Sequence, residues 1–185
     1  MKAYLAGPDV FLPHAVAHAA AKIAICARYG IIGRAPVGDE IGDLSGLTAD
    51  AAWRAIYQKD IAMMGDCDII IANLTPFRGA SADAGTLVEL GWFLGRGKPV
   101  FGYSNTAALF GARSRAQVAK MPDPVNGLMI EDFGLPDNLM IAGATSYPEG
   151  LGVIVPPDGT DRAFDALDIF EICVAQATQV KSKSV

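Results

Sequence analysis

Apolar and polar positions come in blocks along the first hundred residues, short apolar runs alternating with longer helix-like segments, the pattern of a parallel sheet covered on both faces. Lys2 to Ala6 predicts the first strand. Pro13 to Tyr29 is alanine-rich, favours a helix and stops at Gly30, a residue suited to a helix C-terminus. Ile31 to Ala35 predicts a second strand, and a polar loop from Gly38 to Gly46 leads to Thr48, which can cap a helix over 49–64. Asp68 to Leu74, built around Ile69-Ile70-Ile71, matches a strand buried on both sides. A helix over 84–94, closed by Gly95-Arg96-Gly97, and a strand over 98–103 complete the fourth unit. The fold expected is α/β: a doubly wound, mostly parallel sheet with helices on both faces.

Beyond Tyr103 the pattern weakens. A short helix is expected over 114–120, an extended piece over 126–130, a helix start at Pro136-Asp137-Asn138, and a last amphipathic helix over 161–177. Glycine and proline punctuate 143–160. With 185 residues, 51% of them hydrophobic, the chain suits one domain over 1–180 with a frayed tail over 181–185. A net charge of -5 without a basic run gives no footprint for a nucleic-acid backbone, so small-molecule chemistry is expected. Cys26, Cys67 and Cys173 are odd in number and sit in apolar sequence, which reads as reduced core thiols. No signal peptide or membrane-length apolar run is evident, and a cytoplasmic location is expected.

In a doubly wound sheet, ligands bind beyond the carboxyl ends of the strands, where strand order reverses. The loops of interest are therefore Gly7-Pro8-Asp9-Val10-Phe11 and the stretch from Asn73 to Asp83. Glu89 stands out because it interrupts the apolar run Leu87-Val88-Glu89-Leu90, and a carboxylate in such surroundings needs a partner or a task. Asp83 opens the same helix six residues earlier, so the two carboxyls can face one pocket. Asp60 lies late on its helix; Asp66 and Asp68 flank Cys67 at a junction and read as turn formers. His14 and His18 are four apart, but no further ligand is near in sequence, so two solvent-facing histidines are expected rather than a metal site. Gly95-Arg96-Gly97-Lys98 lacks the glycine and hydroxyl of a phosphate loop. Neither a dinucleotide fingerprint nor a serine elbow is present. No cofactor is expected.

Tyr4-Leu5-Ala6-Gly7-Pro8, Tyr57-Gln58-Lys59-Asp60, Cys67-Asp68-Ile69-Ile70-Ile71-Ala72-Asn73, Asp83-Ala84-Gly85-Thr86-Leu87-Val88-Glu89-Leu90-Gly91 and Asn138-Leu139-Met140 follow one another in this order. The set resembles the nucleoside 2-deoxyribosyltransferases, a family with a flavodoxin-like fold, over positions 2–141. Its most specific element is Asp-x-Gly-Thr-x-x-Glu-x-Gly.

The resemblance implies transfer of a 2-deoxyribosyl group between nucleobases through a covalent intermediate, with retention of configuration. Glu89 matches the nucleophile. Asp83 matches the residue that binds the base and protonates its leaving nitrogen, a task for a carboxyl with a raised pKa. Tyr4 matches the tyrosine that holds the nucleophile in line, and Asp60 a supporting aspartate; Gly7 belongs to the substrate loop, and Phe11 is expected as a stacking wall for the base. Asn138 resembles the asparagine that a neighbouring subunit supplies to the sugar 5'-hydroxyl. A homo-oligomer built from dimers, commonly a hexamer, is implied. The partners implied are a deoxynucleoside and a free nucleobase. Lys59 stands where family members often carry Asn, and 143–185 aligns with nothing in the pattern. The nearest rival is an N-glycosidase of the same fold that hydrolyses 2'-deoxyribonucleoside 5'-monophosphates with the same glutamate; Asn138 argues for an unphosphorylated sugar.

Overall fold

Successive side chains of β1 (Lys2–Ala6) point to opposite sides of the sheet, and each side is covered. Ala3 and Leu5 join one core with Ile69 and Ile71 of β3 (Ile69–Asn73), while Tyr4 and Ala6 join a second with Ile70 and Ala72. Two-sided burial is why these strands read as continuous apolar runs. The computed structural model describes residues 1–38, 45–146 and 151–180. In it β2 (Ile32–Arg34), β4 (Val100–Tyr103) and β5 (Val153–Ile154) complete a five-stranded, all-parallel sheet of order β2-β1-β3-β4-β5. This is the flavodoxin-like order, whose switch point falls between β1 and β3.

Helices α1 (Ala15–Arg28) and α6 (Asp168–Val180) pack on the Ala3 and Leu5 face. On the Tyr4 and Ala6 face lie α2 (Ala49–Asp66), α3 (Ala84–Leu94) and α5 (Leu139–Ser146). The local signals hold. Thr48 Oγ1 accepts from Ala51 N at 3.2 Å at the start of α2, and α3 occupies the expected span, stopping at a glycine pair of which Gly97 takes φ +66°. The three cysteines are free and buried. Among the described residues no helix is long and apolar enough to cross a membrane.

The second half departs from expectation where long-range contacts decide. Helix α4 runs Phe110–Lys120, opening four residues earlier than expected, and the piece over 126–130 expected to be extended opens in a turn at Asn126 and Gly127. The stretch over 143–160 that glycine and proline punctuate contains the end of α5 and a fifth strand, β5, which exists because it pairs with Gly102 and Tyr103 of β4. The last helix begins at Asp168 rather than Asp161. Asn105 Nδ2 donates to the carbonyls of Ala163, Phe164 and Ala166, and Asp161 Oδ1 accepts from Thr106 and Ala107, so 161–167 is held outside the helix. Most of the loop over 38–46, and the tail over 181–185, lie outside the described residues.

Candidate active site

Two loops leave the sheet at the switch point, and a buried polar network binds them together. Gly7 has φ +154° and ψ 165°, a region that side chains disfavour, and a Cβ there would stand 2.7 Å from the Cβ of Asn73. Glycine thus lets the end of β1 close on the end of β3. Asn73 Nδ2 then donates to Asp9 Oδ1 at 2.7 Å, and Lys22 Nζ of α1 donates to Asp9 Oδ2 at 2.6 Å. Lys22 is 2% exposed, its ammonium 4.7 Å from the Phe170 ring centroid. Burial alone would push the Asp9 carboxyl up; the Lys22 charge and the hydrogen bonds outweigh it and hold Asp9 well below the usual carboxylate range. The network presents Phe11 at the surface, stacked on Phe77 with centroids 5.4 Å apart and planes 8° from parallel.

On the opposite face of β1, Tyr4 is wholly buried and its hydroxyl donates to Glu89 Oε1 at 2.6 Å. Glu89 lies in the second turn of α3 and is only partly exposed. Burial pushes its carboxyl up to about 7, against an ordinary 4.5; the charges of Asp60 and Asp83 push the same way, and the Tyr4 hydroxyl opposes them. Asp60, on α2, is pushed up to about 6 by burial. Its Oδ1 is buried and has no hydrogen-bond partner among the described residues. Asp83 caps α3: its Oδ2 accepts from Thr86 N at 3.0 Å and from the Thr86 hydroxyl at 3.1 Å. The structure therefore places Tyr4, Asp60 and Asp83 each within electrostatic reach of Glu89. Tyr4→Phe is expected to raise the Glu89 pKa above about 7, because the donor that favours the carboxylate is removed. A carbon-13 NMR titration of the carboxyl checks this; an unmoved midpoint would mean that the hydroxyl does not tune the acid.

Asn138 stands apart from this group. Its side chain donates to Glu131 Oε2 at 2.8 Å and accepts from Met140 N at 3.0 Å, capping α5, and no hydrogen bond joins it to Tyr4, Asp60, Asp83 or Glu89 among the described residues. Beside it, buried Asp137 accepts from Ser81, Ala82 and Asn138, tying the approach to α3 to the start of α5. The paired-histidine expectation is corrected for His18, which is buried with Nε2 3.6 Å from Asp9 Oδ1; His14 is exposed and lies 3.3 Å from Asp165. Asp66 and Asp68 are structural partners of Lys2 at the opposite end of β1. Sequence reasoning missed Lys22 and Asp137. Lys22 was detectable, since it shares the Ala19, Lys22, Ile25, Cys26 stripe that the helix period places on its buried side.

A tyrosine held on a half-buried glutamate, with two further carboxylates within its electrostatic reach, lies beside the switch point of an α/β protein of flavodoxin-like order. The match of residues 3–140 to the nucleoside 2-deoxyribosyltransferase family model narrows the class, and the chain belongs to that family. A curated, uncharacterized protein of Schizosaccharomyces pombe is 33% identical over 159 residues, spanning 84% of this chain and 70% of that protein. Among solved structures, a 2-desoxiribosyltransferase from Leishmania mexicana superposes with a TM-score of 0.61 at 30% identity, covering 96% of this chain and 97% of its own. A conserved protein of Enterococcus faecalis shares the fold at a TM-score of 0.53 and 18% identity, covering 96% of this chain and 98% of its own.

Proposed function

We propose that the protein is an enzyme acting on 2'-deoxyribonucleosides, and that it exchanges their nucleobase through a covalent deoxyribosyl intermediate on Glu89, with retention. The observation that carries this reading is the 2.6 Å bond from Tyr4 to Glu89 inside a cluster of three carboxylates, in a chain of this family. In the first step a Glu89 oxygen bonds to C1' as the C1'–N bond breaks, and its electron pair leaves with the base nitrogen. Asp83 supplies the proton that this nitrogen takes up. Two donors on Asp83 Oδ2 leave Oδ1 to carry that proton, because a neutral acid still accepts through its carbonyl oxygen. In the second step a nitrogen of the incoming base bonds to C1', the ester C–O bond breaks, and the incoming base's proton returns to Asp83. Asp60, with an unpartnered buried oxygen, would take a hydrogen bond from the substrate.

Attack on C1' requires the carboxylate form of Glu89, and exchange rather than hydrolysis then requires that water be kept from C1' of the glycosyl ester until the incoming base attacks. Completion of the sugar site by Asn138 from a second copy belongs to the same reading. It is supported by the exposed apolar side chains Met121, Val125, Leu128, Met129, Phe133 and Met140 in the segment that leads to Asn138 and just past it. Incubation with deoxyinosine, with and without adenine, tests the proposal. Deoxyadenosine formed only when adenine is added is the expected result. Hypoxanthine released at the same rate with or without adenine, and no deoxyadenosine, would replace exchange by hydrolysis.

A further inference from the structure

The connections after β1 and β3 build a groove of about 360 Å³ that the Tyr4–Glu89 chemistry leaves unexplained, lined by Pro8, Phe11, Pro76, Phe77, Arg78 and Phe164. We infer that this groove seats the nucleobase and that Arg78 selects 6-oxopurines over 6-aminopurines. The inference rests on the deoxynucleoside reading above and adds the substrate class and a specificity-determining residue to it.

Three features carry it. First, Phe11 is 58% exposed yet rides on a loop fixed from beneath by the Asp9, Lys22 and Asn73 network. A buried ion pair is costly, and here it holds an exposed ring parallel to Phe77, with Phe164 6.2 Å from Phe77. A rigid, flat aromatic wall suits a planar π system, and base stacking on such rings tolerates any base. Second, Arg78 has φ +55°, the one described non-glycine residue at positive φ, a strained backbone that persists only where the surroundings demand it. That backbone lays the guanidinium 4.6 Å from the Phe77 centroid and 5.3 Å from that of Phe11. Third, the guanidinium makes neither a hydrogen bond nor an ion pair among the described residues, so its donors are unspent at the edge of the aromatic wall. A fork that only donates matches an edge bearing two acceptors. Hypoxanthine and guanine offer O6 and N7 side by side, whereas adenine sets an amino donor beside N7. Arg78 also shares the β3–α3 connection with Asp83, which places base reading and base protonation on one loop.

Calorimetric binding of hypoxanthine and of adenine to the full chain, beside exchange kinetics with each acceptor, tests this. Arg78→Ala is expected to weaken hypoxanthine about 10- to 100-fold and adenine by less than about threefold. Arg78→Lys should resemble the alanine variant, because a point charge cannot reproduce the fork. Arg78→Gly relieves the positive φ, so it keeps the test valid if the alanine variant folds poorly. Equal weakening of both bases, or of neither, overturns the inference. Arginine-dependent selectivity without exchange would sink the proposed reaction alone, and a wild-type chain that binds neither base would sink both.

Discussion

Glu89→Ala is expected to lower base exchange by at least about 10⁴-fold while deoxynucleoside binding stays within about tenfold, as for loss of a nucleophile. Single-turnover assays and equilibrium binding on the same preparation read the two quantities. Residual exchange within about tenfold of wild type would remove Glu89 from the chemistry. Glu89→Gln adds a stability arm. The Glu89 carboxyl is raised from 4.5 to about 7 in the folded chain, so its contribution to stability is fully present below pH 4.5 and is lost as pH rises through about 7. Glutamine keeps an acceptor for Tyr4 and abolishes the buried charge. Urea denaturation should find the variant more stable at pH 8, by about 1–3 kcal/mol, with the gain vanishing near pH 4.5. Equal stability at pH 8 would mean that holding a carboxylate there costs the fold nothing.

Asp9→Ala is expected to cost about 3–5 kcal/mol at pH 7, the largest stability effect foreseen in this molecule, because it strands the Lys22 ammonium between Tyr103 and Phe170 without its partner. Asp9→Ala combined with Lys22→Met should recover much of the loss, since removing both charges leaves no uncompensated ion. The Asp9 carboxyl is depressed from its ordinary 3.8, so its contribution is present above that pH and fades as pH falls through the lower folded value. The gap between wild type and Asp9→Ala should therefore narrow in acid. Denaturant titrations at pH 7 and pH 3 measure both effects; a loss below about 1 kcal/mol at pH 7 would show that the pair does not hold the loop.

How much of this was legible follows from the range of each cause. Helix α3 was read to the residue because its signals are local, Asp83 capping Thr86 at one end and the Gly95-Arg96-Gly97 stop at the other. The central strands were equally plain, since burial on both sides leaves an unbroken apolar run. β5 was not, because two residues carry no pattern and only pairing with β4 makes them a strand. The start of α6 was misplaced because Asn105, about sixty residues away, captures the carbonyls that a helix would have used. His18 is a similar case: only the folded chain buries it and brings Asp9 Oδ1 to 3.6 Å from its Nε2.

By itself the chain of residues determined the alternation of strands and helices, the glycine at position 7 and the identity of the acids, because periodicity, capping and composition act within a few residues. Only the tertiary structure decided which acids meet. The parallel crossovers lay α3 over β1, so that Tyr4, 85 positions away in sequence, reaches Glu89, and the same packing half-buries that carboxyl and lifts its pKa.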